Sequence, residues 1–331
     1  MNTHNFFKKS KLVFIIIISL LIGLIIGFWG RYIKSNCDIN GFKYINLDLV
    51  CEKKEVVKKQ AYATLKGELE DYIQEIQKEK KVTDVSIYFR DLQNGPTLGI
   101  NEHELFSPAS LLKLPLLLTY YNLRNEKFPD LFDRKIITNT SWTIPEQIIK
   151  PKDPIILGEE YTINTLLDHM IKYSDNNAYY VLLSYLHEIS PDRDLLKDTF
   201  VDLGIIDPKD FLDNTISVKS YGSIFVQLYN SSYFNKKNIS YEVLNLLTQV
   251  DWKDGINAGL PHDTIVAHKF GERVNLDGKS LNQLHDCGIV YYPGNPYLLC
   301  VMTRGSDFGE LSKTIKNVSK MVYDEFDFRK L

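Results

Sequence analysis

Strand-like runs fall near both ends of the long C-terminal part of this chain, with a helical block between them, and this limits the fold more than any other feature. Residues 85–90 and 97–100 are β-rich and are joined by the turn Gln93-Asn94-Gly95-Pro96, so they read as a hairpin. Later runs cover residues 264–269, 287–292 and 297–303, the last two joined by Pro293-Gly294-Asn295-Pro296. Ahead of the hairpin, Leu65, Leu69, Tyr72, Ile73 and Ile76 recur at helical spacing. After the last strand, Leu311, Ile315, Val318, Val322 and Phe326 do the same. Residues 110–230 alternate between helical stretches and breaks. The expected architecture is α+β: one antiparallel sheet formed by both chain ends, flanked by helices, with an all-helical subdomain inserted between. No internal repeat or low-complexity tract interrupts it.

The first thirty residues obey a different rule. Residues 12–29 form an apolar run broken only by Ser19, Gly23 and Gly27. As a helix it would span roughly 27 Å at about 1.5 Å per residue, close to the hydrocarbon thickness of a bilayer. Lys8, Lys9 and Lys11 precede it, and Arg31 and Lys34 follow, a slight bias toward a cytoplasmic N-terminus. A cleaved signal peptide would need a small-residue cleavage site, and Phe28-Trp29-Gly30-Arg31 is a poor one. A core helix is the other alternative. The expected organisation is a cytoplasmic tail (1–11), a single transmembrane anchor (12–30), a juxtamembrane linker (31–54) and one extracytoplasmic domain (55–331), placing the protein in the cell membrane.

Composition narrows the partners. A net charge of −3 and the lack of a basic stripe with interleaved aromatics argue against nucleic acid. Oligomeric state is not legible. Of the four cysteines, Cys37 and Cys51 are able to close a loop on an oxidising side, whereas Cys287 and Cys300 read as small buried hydrophobes. No cysteine or histidine spacing suits a metal, and no cofactor is expected.

Three short motifs carry chemistry. In Phe106-Ser107-Pro108-Ala109-Ser110-Leu111-Leu112-Lys113, the proline and the following leucines place Ser110 near a helix N-terminus, with Lys113 three residues on. That spacing sets the amine on the same helical face as the hydroxyl. Serine becomes a nucleophile when a base takes its proton, and a lysine serves if burial lowers its pKa. The competing reading is a capping serine followed by a solvated lysine, but Leu111, Leu112, Leu114 and Leu116 surround this lysine. Ser174-Asp175-Asn176 separates two helical stretches. It suits a capping turn, or a loop offering a hydroxyl for proton relay and an amide for a carbonyl. Lys269-Phe270-Gly271 ends a strand-like run after His268. Lys253-Asp254-Gly255 has the same K-x-G form, but residues 252–258 show no strand pattern.

The order and context of these motifs resemble the serine–lysine, serine–aspartate–asparagine and lysine–threonine–glycine set of class A β-lactamases and penicillin-binding proteins. The likeness runs from about residue 55 to the C-terminus. It implies a serine hydrolase with a β-lactamase/DD-peptidase-like fold, forming an acyl-enzyme on Ser110 from β-lactams or D-alanyl peptides of peptidoglycan. Lys113 would activate Ser110, Ser174 would pass the proton to the leaving nitrogen, and Asn176 would bind a substrate amide oxygen. Lys269 would supply positive charge, and the backbone N–H groups of Ser110 and Glu272, just past Gly271, would form the oxyanion hole.

Two departures alter the expectation. Phe270 stands where the family has Thr or Ser, whose hydroxyl binds the substrate carboxylate. Residues 201–215 contain no glutamate to activate a deacylating water, and Asp210 is the nearest analogue. Slow deacylation is expected. The alternative is a catalytically impaired member that binds cell-wall peptide or a protein partner. His268, His285 and Asp286 read as core or strand-edge polar residues rather than a triad or metal pair. Glu272 and Arg304, which end neighbouring expected strands, are candidates to pair or line the cleft.

Overall fold

The structure, a computed structural model, describes residues 43–46, 62–93, 95–205, 215–274 and 281–330. The apolar run 12–29, Cys37, Cys51 and Asp210 lie outside the described residues. Among the described residues no helix is long and apolar enough to cross a membrane.

The chain runs α1 (Ala63–Gln77), β1 (Val82–Asp91), β2 (Thr97–Ile100), β3 (Leu105–Phe106), a 3-10 turn (Ala109–Leu112), α2 (Lys113–Glu126), β4 (Lys135–Ile137), β5 (Glu160–Thr162), α3 (Ile163–Lys172) and α4 (Asn176–Ile189). It continues through α5 (Leu195–Asp202), β6 (Ile216–Ser217), α6 (Val218–Tyr229), α7 (Lys237–Leu247), β7 (Val266–Arg273), β8 (Asn282–Val290), β9 (Tyr297–Gly305) and α8 (Phe308–Lys330). Five strands form one antiparallel sheet in the order β2-β1-β9-β8-β7. Both chain ends build it, as the strand distribution requires. The pairs β3–β6 and β4–β5 form two further ribbons, too short to leave an alternation in the sequence.

One face of the sheet is closed by the terminal helices. Leu65, Leu69 and Ile73 of α1 and Ile315, Val318, Val322 and Phe326 of α8 are buried against Ile87, Phe89, Leu299 and Val301. The helical spacing seen in the sequence is therefore the core-facing stripe of each helix. On the other face α6 comes very close: a Cβ on Gly222 would lie 3.0 Å from the Tyr88 ring. Helix α2 is buried on nearly every side, from Lys113 through Tyr121. An all-round apolar helix belongs in a protein interior, and this one is the axis of the helical subdomain. Tyr44–Asn46, within the stretch expected as a linker, belong to this compact unit, with Asn46 N donating to Tyr229 O at 2.7 Å.

Two expectations are corrected. Cys287 and Cys300 are buried, but they are joined as a disulfide. They stand directly opposite each other on β8 and β9, a register that composition does not reveal. Glu272 and Arg304 do not pair, because β8 lies between their strands. Arg304 instead lies 3.3 Å from Asp84 and 3.7 Å from Glu104.

Candidate active site

Ser110 sits in the 3-10 turn that opens α2, with Ala109 before it at φ 49°. A left-handed backbone at a non-glycine residue costs on the order of 1–3 kcal/mol, so the surroundings must hold it. They do so through Tyr221 Oη, which donates to Leu111 O at 3.0 Å, and through Gly271 of β7. A Cβ at Gly271 would lie 2.9 Å from both Leu111 Cγ and Pro108 O. Glycine lets the strand approach the turn that carries the serine.

Lys113 begins the α-helix proper and is buried to 1% exposure. Its Nζ lies 2.9 Å from Ser110 Oγ, 2.6 Å from Ser174 O, 2.7 Å from Asn176 Oδ1 and 3.2 Å from Ser174 Oγ. Burial drives its pKa down to about 7, against the opposing pull of Asp175 and Glu272. A neutral amine has two N–H groups for the two shortest acceptors and a lone pair for the serine proton. The geometry suits a base.

Ser174 follows α3 at φ 53° and is fully buried. Asp175 caps α4, accepting from Asn177 N at 2.8 Å, and also accepts from Ile155 N at 2.7 Å. The capping-turn reading of this motif is therefore correct for Asp175, while Ser174 and Asn176 face the lysines. Lys269 Nζ donates to Ser174 Oγ at 2.8 Å and to Phe270 O at 2.7 Å. Burial, reinforced by the nearby charge of Lys113, pushes the Lys269 pKa well down, and Asp286 and Glu272 pull it back up. Two amines sharing one hydroxyl in a dry site hold fewer than two charges at neutral pH.

Phe270 does not take the position expected of it. Its ring packs on Trp252, 4.6 Å between centroids, and is not part of the lining of the Ser110 cavity. The same ring lies 4.1 Å from Lys269 Nζ, a cation–π contact. Glu272 is nearly buried, its carboxylate accepting from Ile149 N at 3.1 Å, and burial raises its pKa. His268 Nδ1 donates to Asp286 Oδ1 at 2.8 Å in the core, while His285 Nε2 donates to Ser107 O and its pKa is pushed down to about 4 by burial. No group of metal-ligating side chains occurs among the described residues.

A cavity of about 400 Å³ opens on Ser110, lined also by Lys113, Gln147, Asn176, Tyr179 and Glu272. The sequence reading missed Gln147, whose Nε2 donates to Ser174 O at 3.1 Å and whose Oε1 accepts from Asn176 N at 3.3 Å. It lies in a loop with no periodicity, and no local signal marks it. Tyr179 and Tyr180 were findable, since they lie one turn after Asn176 on the same helix.

Comparison with known proteins agrees with this geometry. The profile of the β-lactamase enzyme family (Beta-lactamase2) matches residues 68–326. A β-lactamase from Bacteroides uniformis is 25% identical over 274 residues, covering 78% of this chain and 91% of the relative. PBP-A superposes with a TM-score of 0.64 at 21% identity, over 84% of this chain and 100% of PBP-A. The TLA-1 extended-spectrum β-lactamase gives 0.65 at 20%, over 80% of this chain and 99% of that one. A class A β-lactamase from Bacteroides cellulosilyticus gives 0.64 at 20%, over 80% and 98%. With a serine–lysine pair at hydrogen-bond distance and a family match over most of its length, this chain belongs to the β-lactamase enzyme family and is a serine hydrolase.

Proposed function

We propose that the protein is a membrane-anchored serine acyl-enzyme acting on β-lactams or D-alanyl peptides of peptidoglycan. The observation that carries this is the contact of 2.9 Å between Ser110 Oγ and the buried amine of Lys113. Lys113 takes the Ser110 proton as Oγ attacks the substrate carbonyl. As the C–N bond breaks, Ser174, held by both lysines, gives its proton to the departing nitrogen and takes back the one that Lys113 carries from Ser110. The backbone N–H groups of Ser110 and Glu272 receive the oxyanion. Asn176 Nδ2 now donates to Pro145 O at 3.1 Å, and binding a substrate amide oxygen would replace that bond. A PBP-A variant captured as an acyl-enzyme with penicillin G has the same fold, at a TM-score of 0.61.

Slow release of the acyl group is part of the proposal. It is supported by the lack of glutamate in residues 201–215 and by the engagement of the cavity's buried glutamate, Glu272, elsewhere. The Glu272 carboxylate accepts from Ile149 N at 3.1 Å. The anchor and the extracytoplasmic placement rest on the apolar run at residues 12–29. Intact-mass measurement after incubation with penicillin should show one persistent adduct, absent in Ser110→Ala. An adduct that survives the substitution defeats the assignment, and no adduct on the wild type favours the binding-protein alternative.

A further inference from the structure

One row of side chains crosses the sheet beside the site. Lys269 of β7 stands opposite Cys287 of β8, Cys287 opposite Cys300 of β9, and Cys300 opposite Tyr88 of β1. Residues directly opposed in an antiparallel sheet share a face, with Cβ atoms about 4.5–5.5 Å apart. This face is the one turned to the helices, since Gly271 of β7 meets Leu111 there and Tyr88 meets Gly222 of α6. Lys269, Cys287 and Cys300 are all fully buried.

The row has no slack. A Cβ at Gly222 would stand 3.0 Å from the Tyr88 ring, so α6 lies tight over one end. Tyr221 of the same helix is bonded to Leu111 in the turn of Ser110. A bonded pair of sulfurs takes less space than two thiols in van der Waals contact, and a close-packed interior passes extra volume on to its neighbours. The neighbour at the β7 end is Lys269, whose Nζ donates to Ser174 Oγ at 2.8 Å. A displacement of about 1 Å takes that contact beyond hydrogen-bond range. Misplacement on that scale costs up to about a hundredfold in rate.

We propose that the Cys287–Cys300 disulfide positions Lys269. By drawing the two sulfurs together it leaves the lysine room to hold Ser174, and the dithiol form crowds the lysine away. This rests on the reading above, in which Ser174 serves the departing nitrogen. The bond forms when the two thiols give two electrons and two protons to a small disulfide oxidant, which leaves as two thiols. Being fully buried, it is made as the sheet closes and is shielded from reductant in the folded protein.

The test refolds the full chain with reductant or with oxidised glutathione and follows acylation of Ser110 at saturating penicillin. The dithiol form should acylate at least about tenfold more slowly than the oxidised form. Cys287→Ala with Cys300→Ala removes the bond and the bulk together, so it should keep the oxidised rate while its urea midpoint falls. Cys287→Val with Cys300→Val is bulky and unbonded, and should be as slow as the dithiol form. If the dithiol form does not refold, these two paired variants decide. Equal rates in the oxidised form and the valine pair, or an alanine pair as slow as the valine pair, would overturn the proposal. The carbon NMR resonance of the Lys269 ε-carbon is read in the same samples without penicillin. It should move in the valine pair and stay in place in the alanine pair, and an unmoved resonance in both also overturns the proposal. That readout needs no acylation, so failure here is distinguishable from failure of the acyl-enzyme reading.

Discussion

At the scale of the residue, the chemistry depends on one displaced proton equilibrium. Lys113 acts as a base only when neutral, and burial has brought its pKa down to about 7. Below that value the amine carries its proton and cannot take another from Ser110. Above it, the lone pair is available. Acylation should therefore rise about tenfold per pH unit below 7 and level off above it, as read from second-order penicillin-labelling rates between pH 5 and 9. Lys113→Arg, permanently charged, should lose the reaction, and a flat profile would contradict the role of the lysine. The polar residues that meet at the site, Ser110, Lys113, Ser174, Asn176 and Lys269, were legible because each combination of residue type and spacing has a chemical meaning. Gln147 was not, since one glutamine in an irregular loop looks like any other until the loop is folded against Asn176.

At the scale of the element, β7 shows where motif reading and side-chain packing part. The resemblance places the middle residue of Lys269-Phe270-Gly271 toward the substrate, yet the Phe270 ring is buried on Trp252. A phenylalanine has no hydroxyl to offer a carboxylate, and its apolar area is better spent against another ring. Phe270→Thr should thus lower stability by about 3 kcal/mol, in the range of large-to-small core substitutions, and should not accelerate acylation. Urea unfolding and labelling rates on the same protein check both parts. Faster acylation with unchanged stability would mean the side chain faces the cavity. The helices were easier to anticipate, because a stripe such as Leu311, Ile315, Val318, Val322 and Phe326 serves only to cover a core. Their ends and the short β3–β6 and β4–β5 ribbons depend on tertiary contacts.

At the scale of the whole molecule, the two-ended sheet was readable because hydrophobic runs separated by a long helical stretch have few other ways to pair. Strand register was not, and with it went the Cys287–Cys300 bond. That bond closes a loop of sequence separation 13. Replacing both cysteines by serine should cost about 3 kcal/mol by the loop-entropy relation, measurable as a lower urea midpoint; an unchanged midpoint would show that the bond contributes nothing. The sheet order also has a consequence for synthesis. The turn bearing Ser110 leaves the ribosome early, but β7, which supports it, and β9, which gives β1 its second neighbour, emerge near the end. Until then the early hairpin exposes an unpaired edge, and loop closure across the helical block delays its capture. A chain that stops before β7 lacks the strand that supports the Ser110 turn, and one truncated before β9 leaves the β1 edge open to aggregation.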